Sequence, residues 1–366
     1  MQRRNLLNLT LGVASATALH TAAQAQSEPA TDNARFNWRM ATSWPQRQNI
    51  TFQSVVAFCD RVKAMTDGQF VITPYESGEL AGALDIFSVV QSGEVECGHT
   101  VSYYYLDQNP ALVFGTSLPF GLTPYQQYAW LYYGGGLKAV QSLHASLNLV
   151  AFPAGSPGVQ MGGWFNREVE TVADLQGLKI RIPGFGAEVM QRLGAETVQM
   201  GGDEIYAALE RGDIDAAEWQ NPYEDEQLRL YEVARYYYYP GWWEPGSTYE
   251  VVINQEQWEL LPKAYQSIVR AAAAESNLTM LAEFDAANGR VLQNLAVRGV
   301  ELKPYSTEIL EAAHAAAFEL FEETASQEPV FKQIYDQWRQ FRRQMFQWNQ
   351  VNELSFERFI LQADEK

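Results

Sequence analysis

Apolar residues recur along the chain with two different periods, and the two periods alternate. Residues Phe36–Thr42, FNWRMAT, switch character from one position to the next and end just before Trp44-Pro45, which predicts a strand closed by a turn. From Thr51 to Gly68, TFQSVVAFCDRVKAMTDG, apolar positions fall three and four apart and stop at glycine, as in an amphipathic helix. QFVITPY, residues 69–75, then returns to strand character. Strand, helix and strand in that order predict an α/β domain opening on a parallel pair.

A weak internal echo predicts a second domain of the same kind. LDIFSVVQSGEVECGHT around Gly93 and EIYAALERGDIDAAEWQ around Gly212 share one grammar: amphipathic helix, glycine, then alternating acidic and aliphatic residues entering a strand. Both glycines are expected just past a helix end, where the left-handed backbone is least costly for glycine. Two α/β lobes built alike and facing each other enclose a cleft suited to a small ligand.

YYYYPGWWEPG, from Tyr236 to Gly246, reads as a short strand and a loop. In the strand Tyr236 and Tyr238 share one face and Tyr237 and Tyr239 the other, alternating between core and surface. Pro240 and Pro245 exclude regular pairing at both ends of the rest, leaving a loop that presents Trp243 and Glu244 to a cavity. Near the C-terminus, Phe331, Ile334, Trp338, Phe341, Met345 and Trp348 form a heptad-like seam. Tyr335, Phe346, Val351, Phe356 and Phe359 lie off the seam or beyond it, so this helix is apolar on more than one side.

The first residues change the compartment. Arg3 and Arg4, a moderately apolar stretch and the small-residue site Ala23-Gln24-Ala25 read as a removable export signal over residues 1–25, of twin-arginine type rather than the general one. The stretch is too short and polar for a membrane anchor, and no later segment qualifies as a span. Removing it takes the formal charge of the 366-residue chain from −18 to −20, which argues against nucleic acid or anionic lipid as partner. Cys59 and Cys97, the only cysteines, read as buried free thiols or a single bridge, not as a disulfide framework or zinc site.

Candidate chemistry gathers in the second lobe. IDAAEWQNP places Glu218 and Trp219 where a strand ends, the edge at which open α/β sheets bind ligands. LQGLKIRIPGFGAEVMQRLGA places Arg181 in a strand just ahead of a helix N-terminus, suited either to clamping a carboxylate or to a structural salt bridge. Motifs of metalloproteases, nucleophile elbows and phosphate loops are absent. His99, His144 and His314 are scattered without evident carboxylate or cysteine partners. The paired glutamates leave open a glycosidase-like secreted enzyme, and a sensor-linked receptor is a third reading.

At LKIRIPG, GDIDAAEW and YYYYPGWWEPG the sequence resembles the solute-binding proteins of tripartite ATP-independent periplasmic (TRAP) transporters, the DctP-type superfamily, and within it the branch that binds 2-oxo acids. The likeness runs from about Phe36 through the C-terminal helix. It implies that Arg181 clamps a substrate carboxylate, and that Gln160, in SPGVQMGGWF, faces the same cavity through its side-chain oxygen. Glu218, the Trp219 carbonyl, Glu244 and Gln160 would complete, with the ligand, the oxygen shell of a metal cation, sodium or calcium. A tyrosine among Tyr103, Tyr104 and Tyr105 would reach the ligand. Trp44 lies on the cleft side if the sheet is wound as expected; each of these aromatics also has a core or rim reading.

Charge supports the cation. A monoanionic substrate, Glu218, Glu244 and Arg181 leave two excess negative charges in a desolvated cavity, which a hard cation reduces. The other reading is that one glutamate binds no metal and stays protonated or solvated.

The expected architecture is α/β of periplasmic binding protein type, two similar lobes around a ligand cleft joined by hinge strands, with a long C-terminal helix. The first lobe spans 33–155, the second 156–246, a hinge return and completing helices 247–325, and the C-terminal helix 326–366. The resemblance implies a periplasmic, non-enzymatic receptor that delivers a pyruvate-like monocarboxylate to TRAP permease subunits and forms a homodimer through that helix. A lactate-binding protein and a monomer with the helix spanning both lobes are the alternatives.

Overall fold

The parallel pair expected at the N-terminus forms and lies in the first of two sheets. A computed structural model describes residues 35–45 and 49–364; the expected export signal lies outside the described residues. The chain begins with β1 (Phe36–Thr42), α1 (Ile50–Met65), β2 (Phe70–Tyr75), α2 (Ile86–Gln91) and β3 (Cys97–Thr100). α3 (Val113–Thr116), α4 (Pro124–Tyr133) and α5 (Gly136–Ser146) lead to β4 (Leu149–Pro153). β5 (Trp164–Phe165), β6 (Lys179–Arg181), α6 (Gly184–Arg192), β7 (Glu196–Val198), α7 (Gly202–Arg211), β8 (Ala216–Ala217), α8 (Pro222–Gln227) and β9 (Tyr236–Tyr239) follow. The chain ends with β10 (Glu250–Asn254), α9 (Gln255–Leu260), α10 (Lys263–Val297), β11 (Glu301–Pro304), α11 (Thr307–Gln327), α12 (Pro329–Val351) and α13 (Glu353–Asp364).

The first sheet has the order β2-β1-β3-β10-β4 and the second β11-β9-β5-β8-β6-β7. In the first, β1 pairs in parallel with both β2 and β3, while β10 enters antiparallel after the chain has built most of the second sheet. In the second, β6 lies parallel between β7 and β8. The chain therefore crosses between lobes after β4, after β9, and again through α10. That 35-residue helix buries Val269, Ala272 and Met280 in the larger core and Val291 and Leu295 in the smaller one.

Local chemistry accounts for the boundaries. Asn49 caps α1 by accepting from the Phe52 amide, satisfying a donor that would otherwise be unpaired. Gly93 and Gly212, the two echo glycines, both sit past helix ends with φ of 76° and 74°, and each leads into a strand, β3 and β8. Cys59 and Cys97 are free and buried.

Three expectations change. The tyrosines do not alternate between core and surface: adjacent Tyr237 and Tyr238 are both buried, Tyr237 stacked on Trp164 with centroids 4.0 Å apart and Tyr238 packed against Phe165 and Tyr305, while Tyr236 is half-buried and Tyr239 exposed. The C-terminal segment is not one helix over 326–366; α11 ends at Gln327, α12 starts at Pro329, and the backbone turns at Asn352 before α13. Along α12 the seam is buried at Phe331, Ile334 and Trp338, half-buried at Phe341 and Met345, and emerges at Trp348, which is 58% exposed. Tyr335, off the seam, is buried because α11 covers that flank with Phe321. Finally, His144 has a carboxylate partner after all: its Nε2 lies 3.3 Å from Glu250 Oε2, both fully buried.

Trp338 packs against Phe114 and Phe321 and is fully buried. Trp338→Ala should cost on the order of 3–5 kcal/mol of unfolding free energy in urea; a loss under about 1 kcal/mol would mean that α12 is not docked as described.

Candidate functional site

Strand register brings the key charges together. Arg181, at the end of β6, pairs with Ala217 at the end of β8, so Glu218 emerges beside it at the carboxyl edge of parallel strands. Arg181 Nη1 donates to Glu218 Oε2 at 2.6 Å and to the Glu218 carbonyl at 2.7 Å, and Nε donates to the Met200 carbonyl at 3.2 Å. Only Nη2 is weakly engaged, at 3.4 Å from the Tyr104 hydroxyl. The guanidinium carbon lies 5.3 Å from the Trp219 ring centroid. That indole lies flat against the start of α7, where a Cβ on Gly202 would come within 2.3 Å of it.

The second carboxylate arrives on a turn. Gly241 to Glu244 closes with the Glu244 amide donating to the Gly241 carbonyl at 3.3 Å. A Cβ on Gly241 would strike the Gln160 and Met161 carbonyls at 2.5 Å, so only glycine lets the turn approach Gln160 this closely. Gln160 Nε2 then donates to Glu244 Oε2 at 2.6 Å. From the first lobe Tyr103 and Tyr104 complete the wall, Tyr103 against Glu244 and Tyr104 against Arg181.

The cluster is sealed: Gln160, Arg181, Glu218, Trp219 and Glu244 are each at most 4% exposed. Among the described residues one guanidinium faces two carboxylates. Burial first, and then the neighbouring Glu244, holds the Glu218 carboxyl well above the usual range; burial pushes Glu244 up to about 7, against the pull of Tyr103, Arg181 and Gln160. Two further buried acids lie just beyond. Burial raises Glu224 to about 7 although it accepts the Thr51 amide and hydroxyl at 3.0 and 2.9 Å. Asp225, raised by burial to about 6, accepts from Trp164 Nε1 at 2.8 Å and the Tyr237 hydroxyl at 2.6 Å.

Two oxygens of the cluster have no protein donor: Gln160 Oε1 and Glu218 Oε1 are buried and unpartnered among the described residues. Orphaned buried acceptors are uncommon and costly. With the two carboxylates they make an oxygen-only donor set carrying excess negative charge, which fits a hard cation such as sodium or calcium. Among the described residues no group of three or more His, Cys, Asp or Glu could hold a metal, so neutral oxygens would have to complete the shell.

The other residues singled out by sequence fall elsewhere. Tyr105 turns into the first lobe, its ring stacked on Phe87 at 3.9 Å and its hydroxyl 2.9 Å from Thr100. Trp44 packs behind the site, stacked on Tyr249 at 4.6 Å with Nε1 donating to His99 Nδ1 at 2.7 Å. Tyr249 is the residue that sequence reasoning missed. It is buried, and Glu244, Glu224, Tyr104 and Glu218 add to burial in holding its hydroxyl protonated. Its signal was adjacency, five residues beyond Glu244 at the entrance to β10.

Residues 40–328 match the family described as bacterial extracellular solute-binding protein, family 7 (DctP), and the chain belongs to this family. It is 52% identical over 362 residues to a monocarboxylate 2-oxoacid-binding periplasmic protein of Nostoc sp., covering 98% of this chain and 99% of that one. Among solved structures, a TRAP transporter solute-binding protein of Bordetella bronchiseptica, a mixed-occupancy dimer with calcium and picolinate, superimposes with a TM-score of 0.89 at 40% identity, covering 90% and 98% of the two chains. A TRAP periplasmic solute-binding protein of Pseudoalteromonas atlantica, with bound sodium and pyruvate, gives 0.86 at 34% identity, covering 88% and 99%. The family and these relatives are solute-binding receptors. Among the described residues no helix is long and apolar enough to cross a membrane.

The raised carboxyls set a pH dependence. Glu224, raised to about 7, binds a proton in the folded chain over a range where the unfolded chain has released it. Its contribution therefore favours folding at low pH and is lost as pH rises from about 4.5 through 7. Glu224→Gln removes that loss while keeping an acceptor for Thr51. Relative to the parent, the variant should gain stability in urea between about pH 5 and pH 8; an unchanging difference would place Glu224 as an ordinary carboxylate.

Proposed function

We propose that this protein is the extracytoplasmic receptor of a TRAP transporter, capturing a small 2-oxo monocarboxylate such as pyruvate together with sodium or calcium. The observation that carries this reading is the sealed Arg181, Glu218, Glu244 and Gln160 cluster, with its excess negative charge and two orphaned oxygens.

In this reading Glu218, Glu244, the Gln160 side-chain oxygen and the Trp219 carbonyl hold the cation. Once bound, the cation supplies the positive charge that lets an anion enter an already anionic cavity. Arg181 stays anchored by Glu218 and Met200, so Nη2, its weakly engaged arm, is the one that meets the substrate carboxylate. Tyr103, Tyr104 and Tyr249 supply hydroxyls and ring faces, and the rings of Trp219 and Trp243 exclude water. Closing the lobes buries the charged headgroup; water exclusion strengthens these contacts, and the closed form reports occupancy to the permease.

The export signal at residues 1–25 would deliver the chain to the periplasm. The exposed apolar residues Trp348, Val351, Phe356, Phe359 and Leu361, gathered on the two last helices, support a homodimer formed through α12 and α13, since concentrated exposed apolar surface marks an interaction site.

A thermal-shift series with pyruvate, lactate and neutral sugars, each with sodium, calcium or chelator, tests the assignment. Pyruvate should raise the melting temperature, and more so with the cation, because both bind only the folded state; stabilisation by sugars alone would overturn it. Arg181→Ala should lose on the order of 2–5 kcal/mol of pyruvate affinity. Glu244→Gln should bind pyruvate more weakly than the parent and Glu244→Ala more weakly still, both through poorer cation binding. Equal or tighter binding by both Glu244 variants, with no cation effect, would remove Glu244 from the cation shell.

A further inference from the structure

Glu244 is aimed by a turn, and the turn is gripped from outside the site. Trp242 and Trp243 are its two central residues, so their backbone angles decide where the Glu244 carboxylate points. Phe120, in the segment between α3 and α4, holds the first of them twice. Its amide donates to the Trp242 carbonyl at 2.7 Å, and its ring stacks on the Trp242 indole with centroids 5.3 Å apart and planes 14° from parallel. Trp242 in turn meets Trp243 edge to face at 4.8 Å. The same segment also presses on the chain just beyond Glu244: a Cβ on Gly246 would come within 2.2 Å of the Leu122 carbonyl.

Phe120 holds this position at a conformational cost. It is a non-glycine residue with φ of 54°, the left-handed region that a bulky side chain avoids unless surrounding contacts enforce it. One such contact comes from α12. Arg342 Nε donates to the Phe120 carbonyl at 2.9 Å, and the guanidinium packs over Phe318 and Phe346 at 5.1 and 4.5 Å. The His314 ring of α11 meets the Phe120 ring edge to face at 5.0 Å. A continuous path of hydrogen bonds and stacked rings thus runs from the C-terminal helices to the turn that carries Glu244.

We propose that Phe120, held by Arg342, is a positioning residue for Glu244, so that α12 sets the cation affinity of the site from outside it. The inference rests on the reading of Glu244 as a cation ligand. Side chains that orient the ligands of a metal change its affinity without touching it, by roughly 10–100-fold when removed.

The test is calorimetric titration of calcium into the full-length mature protein, without carboxylate and then with pyruvate, replacing calcium by sodium if the parent takes only sodium. Phe120→Asn keeps the backbone donor and acceptor and tolerates left-handed φ, but removes the ring. Arg342→Met keeps length and loses the donor; Arg342→Lys keeps charge and a donor. Calcium affinity should fall roughly 10–100-fold in Phe120→Asn and Arg342→Met, with Arg342→Lys between them and the parent. A purely structural role would lower the melting temperature and leave calcium affinity of the folded protein unchanged, which overturns the proposal. Glu244→Ala separates the two levels. If it loses calcium while Phe120→Asn and Arg342→Met do not, this inference fails and the site reading stands; if it binds calcium like the parent, both fail. Should Phe120→Asn lose cooperative unfolding, Arg342→Met decides by the same criterion.

Discussion

An excess of buried negative charge over buried positive charge is the constraint on which the site depends. Among the described residues Arg181 is the one guanidinium at the cluster, and Glu218 already takes its Nη1 arm. Glu244 is left sharing hydrogen bonds with Gln160 and Tyr103, neither of which carries charge. Such an arrangement persists in a sealed site only as a protonated carboxyl or with a cation beside it. The raised carboxyls of Glu218, Glu224, Asp225 and Glu244 are the ion-free form of that choice. A cation resolves it, and in doing so prepares the cavity for an anion; cation and carboxylate are then linked, each favouring the other by the same factor.

The fold builds this imbalance from parts of both lobes. Parallel strands β6 and β8 bring Arg181 and Glu218 to one edge, and the turn after β9 brings Glu244 to Gln160 on the connection from the first lobe. Among the described residues the first lobe contributes hydroxyls and rings and no charged side chain at the cluster, so closure by these residues chiefly removes water. Charge sits on one side and the lid on the other, and the charged half can be set before the substrate arrives.

Much of this was legible in local sequence. The two glycine-ended units gave the two-lobe plan because left-handed φ at Gly93 and Gly212 is a local demand. The strand-end position of Glu218 and the strand position of Arg181 were also local. What escaped depended on contacts distant in sequence. His144 finds Glu250 only because β10 returns to the first sheet beside β4. Tyr237 and Tyr238 are both buried because α10 places Val291 and Leu295 in the core that holds Tyr237, and Tyr305, beyond β11, packs on Tyr238. Tyr249 and Phe120 carry no motif; one is recognised by its neighbours across the cavity, the other by its strained φ and its grip on Trp242. Between Tyr103, Tyr104 and Tyr105 the sequence offered no choice, whereas a short helical turn sends Tyr105 to Phe87 and leaves the other two at the cluster.

The central claim is that a cation takes the place of protons on buried carboxyls, and proton counting tests it most directly. Titrating calcium with pyruvate present, in buffers of different ionisation enthalpy, gives the number of protons released on binding. The share released by Glu244, whose carboxyl burial raises to about 7, should be substantial near pH 6, fall away above about pH 8, and be lost in Glu244→Gln. Binding without proton release at about pH 6 would mean that the carboxyls are already ionised in the ion-free protein, and would contradict this account of the site.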